Sequence, residues 1–188
     1  LLSSSSYLNK EGNVTSFTFG VPGLALFEEF VRNEAEIFSQ EVRLTSETNA
    51  PLQWTVGGFY QNSESSDEDS FELGLIAGPP FLGPILNSVT RKSESWAVFG
   101  EGTFALSNSL ELGAGVRYFE DDRQFSDAGG LQEDKFDAVS PRFFARYDIA
   151  DDVSLYANVA KGFRSGGFNV LGEPSFGPET SWSYELGT

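Results

Sequence analysis

Apolar residues recur at every second position through most of this chain, and that period constrains the fold more than any motif does. A period of two puts one set of side chains on each face of an extended strand, whereas a helix needs a period of about 3.6. From Arg142 to Ile149, Phe143, Ala145, Tyr147 and Ile149 oppose Arg142, Phe144, Arg146 and Asp148, with Phe144 the one mismatch. Val153, Leu155, Ala157 and Val159 oppose Ser154, Tyr156, Asn158 and Ala160. The same phase runs through Leu110–Phe119, Trp96–Leu106, Trp54–Gln61, Glu41–Thr45 and Ser181–Leu186, and more weakly through Leu2–Lys10. One face of these strands is apolar and the other charged or small. The chain therefore predicts an all-β, antiparallel architecture of about eight strands, each near or beyond the ~9–11 residues that cross a bilayer.

The connections separate into two kinds. Glu47–Pro51, Ser107–Ser109 and Ala150–Asp152 read as tight turns. Gly12–Glu36, Ser63–Arg91, Asp122–Lys135 and Ser165–Pro178 read as long connections, alternating with the short ones. Short turns at one end and long loops at the other describe a transmembrane β-barrel. A soluble sandwich has no reason to sort its loops in this way. Within Leu24–Phe38, the spacing of Leu24, Phe27, Phe30 and Val31 also allows a short helix. Ser63–Glu72 carries Glu64, Asp67, Glu68, Asp69 and Glu72. Such a cluster suits Ca²⁺ in charge, but its spacing matches no EF-hand, and a solvated, self-repelling loop is preferred. Gly74–Leu86 is apolar, with Pro79, Pro80 and Pro84, and suits a loop tip that packs on other loops or touches a ligand.

Composition removes several chemistries. The chain has no Cys and no His, so disulfides, thiolate sites, Cys/His zinc sites and a Ser-His-Asp triad are excluded within it. A formal net charge of -16 repels nucleic acid. No apolar run is long enough for a membrane helix, and a mean hydropathy of -0.23 is what half-polar strands produce. Gly113-Ala114-Gly115 lacks the third glycine and the helix of a dinucleotide loop. The chain begins at Leu1 without Met, so the expectation is an internal stretch of a longer protein.

Specific residues then point to a family. Leu155–Asn169, reading LYANVAKGFRSGGFN, resembles a run in TonB-dependent outer-membrane receptors, and Pro178–Gly187 resembles the strand that follows it there. Ser39–Leu44 with Trp54–Tyr60 resembles an earlier hairpin of the same barrels, as do Ala97–Glu101 and Gly115–Tyr118. The resemblance implies a barrel of about 22 strands with a plugged lumen, of which residues 1–188 are part and the plug is not. It implies a location in the outer membrane of a Gram-negative bacterium and contact with outer-membrane lipid. It also implies uptake of a scarce nutrient energised by TonB, with an iron–siderophore complex the preferred ligand and cobalamin, haem and oligosaccharides the alternatives.

On that resemblance, Arg43, Glu101, Glu111, Arg117, Arg142 and Arg146 are candidates for lining the lumen and meeting the plug. Gly162, Phe163, Arg164, Ser165, Gly166, Gly167, Phe168 and Asn169 form the family motif, followed by Pro178, Glu179, Glu185 and Gly187. The glycines fall where a strand leaves the membrane and permit a bulge or a close backbone approach. For Arg164, pairing with a barrel carboxylate is preferred over an anionic ligand or lipid phosphate. Trp54, Tyr60, Trp96 and Trp182 suit the aromatic girdles. No cofactor, metal or catalytic set is expected. A passive porin-like channel, a barrel enzyme and a soluble β-rich binding protein are the competing functions. Taken alone, these residues should not fold stably, because an open sheet leaves two unpaired edges.

Overall fold

The computed structural model describes residues 1–19, 26–46, 50–74, 82–170 and 173–188, and for 16–19, 26–28, 71–74 and 82–86 the backbone alone. Eight strands follow one another: β1 (Leu2–Phe19), β2 (Leu26–Thr45), β3 (Leu52–Gly74), β4 (Leu82–Ala105), β5 (Leu110–Asp127), β6 (Gly130–Ala150), β7 (Val153–Arg164) and β8 (Glu179–Gly187). They form one antiparallel sheet in sequence order, so every neighbour in the chain is a neighbour in space. β1 and β8 are its two edges, and the sheet is an unclosed arc. Among the described residues there is no α-helix.

The strands are longer than the alternation indicated. β4 has 24 residues, about 80 Å at ~3.3 Å per residue, where ~9–11 residues would cross a bilayer. Three of the four long connections are built largely of strand. β1 runs to Phe19 and β2 resumes at Leu26; β3 holds to Gly74 and β4 resumes at Leu82. β5 and β6 close through a two-residue turn, where Gly129 N–H donates to Asp127 Oδ1 (2.8 Å) and Gly130 takes a φ of 118° that favours glycine. The long connections thus project as hairpins, and Ser165–Pro178 is the one that remains irregular among the described residues, held by a single bridge between Gly167 and Phe176.

The short helix that the spacing within Leu24–Phe38 allows is not formed over the described residues. Over Leu26–Phe38 the chain is β2, paired with β1 on one side and β3 on the other. Two ladders satisfy its backbone groups, and that pairing overrides the weak local preference for a helix. The acidic stretch Ser63–Glu72 lies in β3 rather than in a loop, and Glu64 and Asp67 there meet Lys92 (3.0 Å) and Arg91 (2.6 Å) of β4. Among the described residues no three acids are placed to hold a metal. Residues 75–81 of the apolar stretch Gly74–Leu86, and 47–49 of the turn Glu47–Pro51, lie outside the described residues.

Register sorts the side chains. Arg43, Gly57, Phe99, Arg117 and Ser140 follow each other across the sheet, as do Glu101, Gly115 and Arg142, and all lie on one face. Val42, Leu44, Trp54, Val56, Val98, Phe104, Leu112, Val116, Phe143 and Tyr147 lie on the other, exposed. The buried core is small and one-sided. Val89, Ser95 and Ala97 of β4, Asp121 and Phe125 of β5, and Phe136 and Ala138 of β6 share the charged face, and of these Phe125 and Phe136 meet the connection that begins at Ser165, at Phe168 and Gly166. That connection can turn inward because the β6–β7 ladder ends at Arg142–Ala160, next to Pro141. Proline has no N–H with which to extend a second ladder.

Candidate functional site

The charged face is built on glycines. Gly57 and Phe99, Gly113 and Phe144, and Gly187 and Tyr156 are cross-strand partners. In each pair the ring lies where the glycine lacks a side chain: an added Cβ would come within 2.4 Å of Phe99, 2.0 Å of Phe144 and 2.4 Å of Tyr156. The rings therefore lie flat on the wall, as when an aromatic covers a cross-strand glycine.

Guanidinium groups stack over these rings. Arg43 lies 5.7 Å from the Phe99 centroid, Arg142 5.1 Å from Phe144, and Arg117 5.5, 6.0 and 5.6 Å from Phe59, Phe99 and Phe119. Cation–π contacts of this kind are worth ~0.5–1 kcal/mol at exposed sites. Arg142 also pairs with Glu101 (3.3 Å) and donates to Asn158 Oδ1 (3.0 Å). Arg43 pairs with Glu41, two residues along β2. Glu41, Arg43, Thr55, Phe99, Glu101, Arg117, Arg142 and Lys161 line one shallow depression.

The six charged candidates do not all join this patch. Arg43, Glu101, Arg117 and Arg142 do. Arg146 lies toward the short-turn end, paired with Asp148 (3.0 Å), and Glu111 is its cross-strand partner there.

The motif residues divide as well. Gly162 faces Ser181, and the Phe163 ring packs on Phe119 at 6.1 Å. Arg164 meets Glu179, the first residue of β8, at 3.7 Å with both side chains largely exposed, where such a pair contributes little. Ser165, Gly166 and Gly167 are buried. Phe168 packs on Phe125 at 6.1 Å, and Asn169 Nδ2 donates to the Pro174 carbonyl (2.6 Å). Pro178 precedes β8, and Glu185 accepts from the Tyr156 hydroxyl (3.2 Å).

The apolar face ends in aromatic side chains hydrogen-bonded to glutamates one step further out. Tyr60 donates to Glu94 (3.0 Å), Trp96 and Tyr118 donate to Glu120 (3.1 Å each), and Tyr7 donates to Glu36. The Trp96 and Tyr118 rings pack at 5.4 Å, tilted by 57° to each other. This arrangement matches the amphipathic belts at membrane edges. Beyond the belt, Lys135 pairs with Glu120. The hydrogen bond from Lys135, with those from Trp96 and Tyr118, holds the Glu120 carboxyl below the ordinary carboxylate range, and Glu120 in turn raises Lys135.

Two features escaped the sequence reading. The glycine–aromatic pairs need cross-strand register, which alternation does not supply. Ser93, Asp121 and Arg123 form a cluster in which Ser93 Oγ donates to Asp121 Oδ1 (2.6 Å) and Arg123 Nε to Asp121 Oδ2 (2.7 Å). Continuing the parity of Arg117 through Asp121 to Phe125 was the available signal.

The comparisons agree with this geometry. A family model described as "TonB dependent receptor-like, beta-barrel" matches residues 2–188. The pesticin receptor of Yersinia pestis is 26% identical over 163 residues, covering 79% of this chain and 23% of that protein. The chain therefore spans less than a quarter of that curated relative's length. The ferric yersiniabactin uptake receptor FyuA from Yersinia pestis superposes with a TM-score of 0.65 at 18% identity, over 98% of this chain and 30% of that one. BauA, the ferric preacinetobactin receptor from Acinetobacter baumannii, gives 0.65 at 18% identity, over 98% and 31%. These relatives are receptors rather than enzymes.

Proposed function

Since this chain belongs to the TonB-dependent receptor β-barrel family, we propose that it is part of the wall of an outer-membrane receptor that takes up an iron–siderophore complex, energised by TonB. The observation that carries this reading is the two-faced sheet. Leu112, Val116, Val98 and Phe143 are exposed on a face with no other use for them, and lipid is the solvent that removes their cost. The opposite face, with Arg43, Glu101, Arg117 and Arg142, lines the lumen and meets the plug; Glu111 and Arg146 do so nearer the periplasm. The remaining strands, to about 22, pair with β1 and β8 and close the barrel. The long hairpins stand outside the cell, where a ligand is captured.

The preference for an iron–siderophore complex rests on the relatives, two of which are described as ferric yersiniabactin and ferric preacinetobactin receptors. The test uses the full-length receptor in a Gram-negative host lacking its own siderophore receptors. Radio-iron accumulation is followed from a panel of ferric siderophores, with and without TonB. Accumulation from one complex that stops without TonB supports the reading. Accumulation that persists without TonB replaces it with a passive channel.

A further inference from the structure

One charged side chain in the described residues is fully buried, and it does not belong to the lumen patch. Asp121 is 1% exposed. Such a carboxylate is tolerated only when its oxygens are satisfied, and both are, by Ser93 and Arg123. Arg123 does more than neutralise it. Its Nη1 reaches across to the Gly166 carbonyl at 3.0 Å, in the segment that follows β7. One planar guanidinium thus joins a strand carboxylate to a loop carbonyl, a geometry that its fixed fork allows and a lysine ammonium does not reproduce.

Other contacts close on the same segment. A Cβ on Gly166 would lie 2.5 Å from the Phe176 carbonyl oxygen and 2.6 Å from the Phe136 ring, so only glycine fits between wall and loop. Gly167 and Phe176 exchange backbone hydrogen bonds at 2.9 Å each way. Phe168 packs on Phe125, whose ring also carries Arg91 at 5.6 Å. All of this lies on the charged face, beyond the level of Trp96 and Tyr118, where a barrel opens outward.

We infer that Arg123 is a positioning residue that holds Ser165–Phe168 as a fixed inward shelf at the outer mouth of the barrel. On this side the mouth is preformed before any ligand arrives. The Asp121–Ser93 pair orients Arg123, and the Gly166 gap lets the shelf sit close enough to be held.

The test uses the full-length receptor, free of other cysteines, with a nitroxide on Val170→Cys, an exposed position just past the shelf. The spectrum is recorded without ligand. The parent should show a slow, restricted component. Arg123→Lys keeps a positive charge beside Asp121 but loses the fork, and Gly166→Ala acts from the loop side; each should make a fast component the majority. A control nitroxide on Asp151→Cys, in the opposite turn, and heat-modified gel mobility should not change. A label already mobile in the parent, or one that stays restricted in Arg123→Lys, overturns the inference. If Gly166→Ala fails to insert, Arg123→Lys decides alone. No ligand is present, so failure here leaves the receptor reading standing, and loss of TonB-dependent uptake leaves the shelf standing.

Discussion

Phe144 of β6 lies flat across Gly113 of β5, its register partner, so closely that a Cβ on Gly113 would fall 2.0 Å from the ring. Gly113→Ala must lift that ring and disturb the Arg142 that stacks on it. A loss of about 1–3 kcal/mol is expected for such overpacking. Denaturant titration of the full barrel in liposomes measures it. In Gly113→Ala/Phe144→Ala the two changes should cost less together than their sum. Full additivity would mean that ring and glycine do not share the space.

The two faces should answer charge differently. Ala114→Arg puts a cation on the apolar face and should cost ~2–4 kcal/mol near the middle of the bilayer. Ser140→Arg, on the face of Arg117, should cost much less. The same titration compares them, and equal costs would remove the assignment of lipid and lumen faces.

Residues 1–188 expressed alone should not form a stable barrel. β1 and β8 are not paired with each other, and each backbone group left unpaired in lipid costs several kcal/mol. A sharp, cooperative melt of these residues in detergent is the outcome that would contradict this.

Glu120 titrates below the ordinary carboxylate range because Lys135 donates to it. Its folded-state pKa is thus below its unfolded one, so its contribution to stability is fully present above the ordinary carboxylate range and is lost as pH falls below that range through the lowered folded-state pKa. Lys135→Gln should flatten this part of the stability–pH curve, and high salt should weaken the same limb in the parent, because the Lys135 ammonium is exposed to screening. An unchanged acid limb in Lys135→Gln would show that the pair contributes nothing.

Much of the candidate site was legible in local order. Arg117 and Val116 are adjacent in sequence, and a strand turns them to opposite faces without help from the rest of the molecule. The tight turns at Ser107–Ser109 and Ala150–Asp152 were legible for the same reason. Arg123 and Phe125 were not, because Asp122–Lys135 is polar enough to pass for a loop. Only the ladder with β6 shows that the strand continues through it.

The sequence by itself determined the period of two, the identity of the two faces, the absence of Cys and His chemistry and the family resemblance, because these depend on neighbouring residues alone. Tertiary structure decided how far the strands run, that Leu26–Phe38 is strand and not helix, and that Gly166 sits beneath Phe176 and against Phe136. Those outcomes depend on backbone hydrogen bonds and close contacts between residues far apart in the chain, whose partners no local pattern names.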